Sequence, residues 1–128
     1  MKGRPLRERL GFAAAGIAEG WRREQSFRVH VGIAATALVV LLATRPSPVW
    51  WAMFGIVAAL VTAFELVNSA LEALVDLLHP GLHPEVKAIK DMLSGAVMLA
   101  GVAALLVAAA FVAAHAQGWL AWWQGSGR

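Results

Sequence analysis

The sequence predicts an all-α integral membrane protein in which an amphipathic surface helix precedes three transmembrane helices. Of the 128 residues, 59% are hydrophobic and 15% are charged, a balance typical of membrane proteins. Proline-containing breaks at 44–48 and 79–84 divide the apolar part into three segments, because proline stops a helix. The basic residues are concentrated before the first segment. We therefore predict a single membrane domain over 1–128.

Composition also limits the chemistry of this domain. The chain has no cysteine, which excludes disulfides, thiolate nucleophiles and thiolate metal sites. Its eleven basic residues outnumber its eight acidic residues. In so apolar a chain we interpret this excess as a topology signal and an attraction to anionic lipid, and we expect no nucleic-acid partner.

Residues 1–28 are predicted to form a cationic amphipathic helix on the membrane surface. They hold seven of the eleven Lys and Arg residues, and a helix of this kind lies along the bilayer. A secretory signal is the alternative, but its apolar core of nine residues is followed at once by charged residues. The apolar positions fit one helical face; they are Leu6, Leu10, Ala14, Ile17 and Trp21.

The first predicted span, 29–44, is short. Its 16 residues extend roughly 24 Å as a helix, so it crosses the bilayer only if Arg28 and Arg45 snorkel at its ends. The second span, 49–78, is long enough to cross the bilayer and project beyond it. A loop and helix start at 79–91 lead into the third span.

The third span, 92–119, is rich in alanine, and its small residues favour close helix contact. The charges set the orientation: the segment before the first span is strongly basic, whereas the turn after it has Arg45 alone. The amino end is therefore predicted to be cytoplasmic. Most tryptophans then fall at the opposite interface, where aromatic side chains are enriched; they are Trp50, Trp51, Trp119, Trp122 and Trp123.

The second span carries an unusual set of polar residues: Glu65, Asn68, Glu72 and Asp76. At about 100° per residue they point to roughly 0°, 300°, 340° and 20°, in one stripe about 16 Å long. This length is too great for one ion and suits a metal with a polyphosphate and an acceptor group. Intramembrane carboxylates cost several kcal/mol unless paired. Two other interpretations are a polar seam in an oligomer and a proton or cation pathway.

The motif E-x-x-N-S-A-x-E-x-x-x-D at 65–76, followed fourteen residues after its Asp by K-D-M-x-S, resembles the prokaryotic diacylglycerol kinase family, which includes undecaprenol kinases. Glu24-x-x-Phe27-Arg28 at the first span extends the likeness. The resemblance implies a homotrimer of three-helix protomers in the bacterial inner membrane, with cytoplasmic-side active sites shared between subunits. The chain shows neither a P-loop nor a Gly-rich kinase loop.

The resemblance also implies roles for individual residues. Glu65 stands where the family has its catalytic base. Glu24 and Glu72 match its metal-binding carboxylates, and oxygen ligands suit a Mg²⁺ ion that also binds ATP phosphates. The same two residues are implied in ATP binding. The further implied ATP contacts are His83, Lys90 and Asp91.

Three more residues match supporting positions of the family. Asn68 and Asp76 stand where polar partners orient the base and the lysine, and Ser94 stands near the lipid. His30, His79 and His115 receive no role.

Together these features predict a kinase that transfers the γ-phosphoryl group of MgATP directly to a membrane lipid hydroxyl, without a phosphoenzyme. Diacylglycerol, which would give phosphatidic acid, is the first acceptor that we predict, and undecaprenol is the alternative. From other classes, a small proton or cation conductor and a structural membrane oligomer stay open.

Overall fold

The computed structural model describes residues 3–81 and 83–126, and this part of the chain is entirely helical apart from short connections. Its helices are α1 (Leu6–Arg23), α2 (Gln25–Thr44), α3 (Pro48–Leu78) and α4 (Pro84–Ser126). The predicted all-α class is confirmed. The predicted domain 1–128 also includes residues 1, 2, 82, 127 and 128, which lie outside the described residues.

Three of the helices, α2, α3 and α4, are long and apolar enough to cross a membrane, which confirms the predicted number of spans. The third predicted span, 92–119, lies within the longer α4, which begins directly after the His-Pro-Gly loop. Helix α1 is largely exposed, and Gly20 is its buried residue. Its location at the membrane surface stays a prediction.

The helix that contains the first predicted span, 29–44, begins before that span. Glu24 has an extended backbone (φ −107°, ψ 116°) and separates α1 from α2, which starts at Gln25 rather than at 29. Its 20 residues span roughly 30 Å, about the hydrocarbon thickness of a bilayer. Arg28 does not flank the helix. Its Nη1 donates to the backbone oxygen of Trp21 at 2.9 Å, which satisfies a carbonyl at the end of α1.

The turn between α2 and α3 lies where the two prolines predicted it. Arg45 ends α2 in the left-handed region (φ 47°, ψ 54°), and its N–H donates to the Leu41 oxygen at 2.9 Å. Pro48 opens α3, a position where its missing N–H costs nothing.

Helix α3 is central, since it packs against both α2 and α4. An aromatic cluster joins the start of α3 to the far part of α4: the Trp50 and Phe54 rings meet the Phe111 ring edge to face, at centroid distances of 5.2 and 5.5 Å. Most large apolar side chains of the spans face outward, as lipid-facing surfaces require. The buried apolar residues are Phe27, Leu41, Val61, Ala100 and Phe111.

Candidate functional site

The four polar residues of the predicted stripe all lie in α3, which runs without a break from Pro48 to Leu78. Glu65 is the most buried of the four: it is 4% exposed, and it is the one buried charged residue in the described ranges. The other stripe residues become more exposed to solvent with distance from Glu65. Asn68 and Glu72 are half-buried, and Asp76 is exposed. The stripe therefore runs from the protein interior to its surface.

Glu65 contacts two residues of α2 that the sequence analysis did not assign to the site. Ser26 Oγ donates to Glu65 Oε2 at 3.0 Å. His30 Nδ1 lies 2.9 Å from Glu65 Oε1. One signal in the sequence points to this pair, because Ser26 and His30 are four residues apart and so share a helical face.

The His30 contact is close, but its angle is outside hydrogen-bond geometry, and Nδ1 has no other partner in the described part of the chain. Nδ1 is also buried. A neutral imidazole that carries its hydrogen on Nδ1 can donate to a carboxylate oxygen at this distance. A small rotation of the imidazole ring, with Nδ1 protonated, would turn the contact into a hydrogen bond.

Asn68 and Glu72 form the next level of the stripe. Asn68 Nδ2 donates to Glu72 Oε1 at 3.3 Å. Asn68 Oδ1 is buried and has no hydrogen-bond partner among the residues that the structure describes. A buried acceptor without a partner is costly, and a ligand or a hydrated cation would satisfy it. This free oxygen and the Glu72 carboxylate fit the oxygen chemistry of Mg²⁺.

The Asp76 end of the stripe borders a cleft of about 480 Å³ between the end of α3 and the start of α4. Lys90 Nζ donates to Asp76 Oδ1 at 2.6 Å across the cleft. Lys87 pairs with Asp91 within α4, and His83 Nδ1 accepts the backbone N–H of Glu85 at 3.2 Å. The ATP-contacting residues expected in the loop and the start of α4 thus share one concave surface.

Other predicted residues are not brought together in this single chain. Within residues 3–81 and 83–126, no three His, Asp or Glu side chains are close enough to hold a metal. Glu24 is half-buried at the break between α1 and α2, and Ser94 is exposed on α4. A complete carboxylate metal centre therefore does not form within the described part of one protomer.

Residues 11–112 match the family described as prokaryotic diacylglycerol kinase, which is well over half of the chain. The chain belongs to the prokaryotic diacylglycerol kinase family. The matched range includes every predicted site residue, from Glu24 to Ser94.

Two relatives show how varied this family is. A diacylglycerol kinase of Synechocystis is 35% identical over 99 residues, which cover 75% of this chain and 55% of the relative. An undecaprenol kinase of Bacillus subtilis is 32% identical over 95 residues, which cover 74% of this chain and 77% of the relative. The match thus spans little more than half of the Synechocystis protein.

For this prokaryotic diacylglycerol kinase family member, the geometry divides the polar residues into two groups. One is the buried Glu65 with its α2 partners, and the other is the open cleft around the Lys90–Asp76 pair. Along α3, eleven residues separate Glu65 from Asp76, or roughly 16 Å. Asn68 and Glu72 lie between them.

Proposed function

We propose that this protein is an ATP-dependent lipid kinase that phosphorylates the hydroxyl of diacylglycerol to give phosphatidic acid. The observation that carries the proposal is that α3 of this family member holds the buried Glu65 and, at its carboxyl end, borders the charged cleft. A lipid hydroxyl arrives from the bilayer and a nucleotide from water. A kinase joining them needs a buried proton acceptor and an exposed phosphate site, and Glu65 on α3 and Lys90 on α4 are suited to these two tasks.

Glu65 is the proposed catalytic base. Its carboxylate takes the proton of the lipid hydroxyl while that oxygen attacks the γ-phosphorus in line, and the bond to the β-phosphate oxygen breaks to release ADP. Burial excludes water, so that the lipid hydroxyl meets little competition for the phosphoryl group. Asn68 lies one turn along α3 and would help to orient the reacting groups.

Lys90 and Asp91, with His83, are proposed to bind ATP in the cleft. The Lys90 ammonium would hold the phosphates, and Asp76 now pairs with it and keeps it directed into the cleft. Glu24 and Glu72 would hold Mg²⁺ and also contact ATP through it. When bound, the ion neutralises charge that develops on the phosphates. Ser94 is proposed to lie beside the lipid.

The assembly and its place in the cell belong to the same proposal. We infer a homotrimer from the family resemblance, and in such an assembly a second copy could add ligands to Glu24 and Glu72. We infer a multi-pass location in the bacterial inner membrane with a cytoplasmic amino end, supported by the three apolar helices and by the basic residues that precede α2.

Undecaprenol is the second candidate acceptor, because the Bacillus subtilis relative is named for that lipid. Both alcohols present a primary hydroxyl, and the apolar walls of the helices do not distinguish their tails. The acceptor must therefore be decided by direct competition between the two lipids.

The test is transfer of labelled γ-phosphate from MgATP to diacylglycerol and to undecaprenol in mixed micelles. Glu65→Gln is the test variant, and Glu85→Gln, at the exposed start of α4, is the matched control. We expect label in one lipid, lost in Glu65→Gln and retained in Glu85→Gln, with nucleotide binding intact in both. Folded protein that labels neither lipid would refute the kinase, and proton flux without ATP would support a conductor instead.

A further inference from the structure

The two contacts of Glu65 have a simple geometric consequence. Ser26 reaches Oε2 and His30 reaches Oε1, so each carboxylate oxygen has its own partner on α2. A glutamate side chain rotates about three bonds, and a single contact leaves the carboxylate plane free to turn. The Ser26 hydrogen bond holds Oε2, and the His30 ring, whose Nδ1 lies 2.9 Å from Oε1, limits how far that plane can turn.

These partners do not block proton transfer to Glu65. Each carboxylate oxygen has two lone pairs, and one contact per oxygen leaves the others open to a lipid hydroxyl. Ser26 and His30 lie in a part of α2 that is itself held in place. They lie in the first two turns of α2, and the intervening Phe27 is buried and anchors this part of the helix. The break at Glu24 sets where those turns begin.

We propose that Ser26 and His30 are positioning residues that hold the Glu65 carboxylate in the orientation needed to accept the lipid hydroxyl proton. This inference rests on the proposed function. The two residues do not contact the lipid in this account. Their effect reaches the reaction only through Glu65, so they should govern the rate of turnover more than the binding of either substrate.

The experiment compares Ser26→Ala, His30→Leu and His30→Gln in full-length protein in mixed micelles. We expect Ser26→Ala and His30→Leu to lower kcat roughly 10- to 100-fold, the size of loss that a displaced reacting group causes. KM for MgATP and for the lipid should stay nearly constant. His30→Gln keeps a nitrogen donor near the same place and should recover part of kcat. Thr36→Ala is the control, since its hydroxyl donates to the Gly32 oxygen within α2 itself.

A second measurement does not depend on activity. With ¹³C in the glutamate side-chain carboxyls, the Glu65 signal is the one missing from Glu65→Gln. We expect this signal to shift in Ser26→Ala and His30→Leu and to stay in place in Thr36→Ala. Thermal unfolding of each variant would show whether the α2–α3 contact also stabilises the fold.

The outcomes separate the two proposals. If wild-type protein phosphorylates neither lipid, the proposed function fails. If wild-type protein is active but both variants keep their kcat, the positioning role alone fails. It also fails if kcat falls while the Glu65 signal is unmoved and His30→Gln recovers nothing, because the pair then acts only on the fold.

Discussion

Lys90 Nζ and Asp76 Oδ1 lie 2.6 Å apart, and this ion pair joins the last turn of α3 to the second turn of α4. The two residues are 14 positions apart in the chain. Asp76 is 60% exposed in its side chain and Lys90 is 35% exposed. An ion pair so open contributes only about 0–1 kcal/mol to stability, so its main effect is to direct the Lys90 ammonium into the cleft.

The first prediction is that Lys90→Met raises KM for MgATP roughly tenfold or more. A charge-assisted hydrogen bond to phosphate is worth about 1.5–3 kcal/mol, and methionine keeps the length of the side chain without its charge. Arg45→Met is the control, because Arg45 ends α2 at the amino end of α3, far from the cleft at its carboxyl end. Steady-state kinetics would measure both, and equal losses would contradict a special role for Lys90.

The second prediction concerns magnesium. Glu72→Gln should shift the Mg²⁺ dependence of activity to concentrations roughly tenfold higher or more, since even outer groups of metal sites change affinity by about 10- to 100-fold. The shift is measured by titrating activity with Mg²⁺ at saturating ATP. Glu85→Gln removes one carboxylate from the first turn of α4 and should leave the curve in place. Matching curves for Glu72→Gln and wild type would remove Glu72 from the metal site.

The third prediction concerns the turn after α2. A residue with a Cβ in the left-handed region costs roughly 1–2 kcal/mol, and Arg45 has this conformation. Arg45→Gly should therefore leave the free energy of unfolding unchanged or raise it by up to about 1 kcal/mol, because glycine also gains freedom in the unfolded chain.

Chemical unfolding in detergent would measure the effect of Arg45→Gly, with Arg45→Ala beside it. Alanine removes the charge but keeps the Cβ, so it should give no gain. A loss of stability with glycine and a gain with alanine would show that charge, rather than backbone conformation, dominates at this turn.

The fourth prediction concerns the close approach of α1 to α3. A Cβ added at Gly20 would collide with Leu66 Cδ2, the end of a flexible side chain that must shift, so Gly20→Ala should cost about 1 kcal/mol by overpacking. Gly16 has open space around it, and Gly16→Ala should stabilise by up to about 1 kcal/mol through helix propensity.

A double-mutant cycle with Leu66→Ala would test the contact between α1 and α3. If the methyl group of Gly20→Ala meets Leu66, the shortened side chain relieves the clash and the two effects are not additive. Thermal unfolding of the four proteins gives the coupling. Additive effects would show that α1 accommodates the methyl group by moving.

The fifth prediction is a local pH dependence in α1. A hydrogen bond from Arg23 and the charge of Arg22 hold the pKa of the Glu19 carboxyl below its ordinary value. A lowered pKa in the folded state means that these contacts stabilise α1 above the ordinary pKa and are lost as pH falls through the lowered one. A ¹³C titration should show the pKa of Glu19 rising in Arg23→Ala. An unmoved titration curve would contradict the contact.

The sequence by itself determined the class and the number of spans of this protein. Long apolar runs have to be helical in a bilayer, because helices satisfy their own backbone hydrogen bonds. The prolines near 46–48 and 80–84 predicted the turns, because proline lacks a backbone N–H and has a fixed φ, and both properties act locally to stop a helix. The stripe from Glu65 to Asp76 was also predictable, since it depends only on 3.6 residues per turn.

Only the tertiary structure decided which helices supply partners to that stripe. Ser26 contacts Glu65 across 39 positions of sequence, and that contact depends on how α2 is rotated and shifted against α3. Rotation and shift follow from side-chain packing between helices, such as the burial of Phe27 and the close approach at Gly20. Periodicity shows which residues share a face of one helix, whereas packing decides what that face meets.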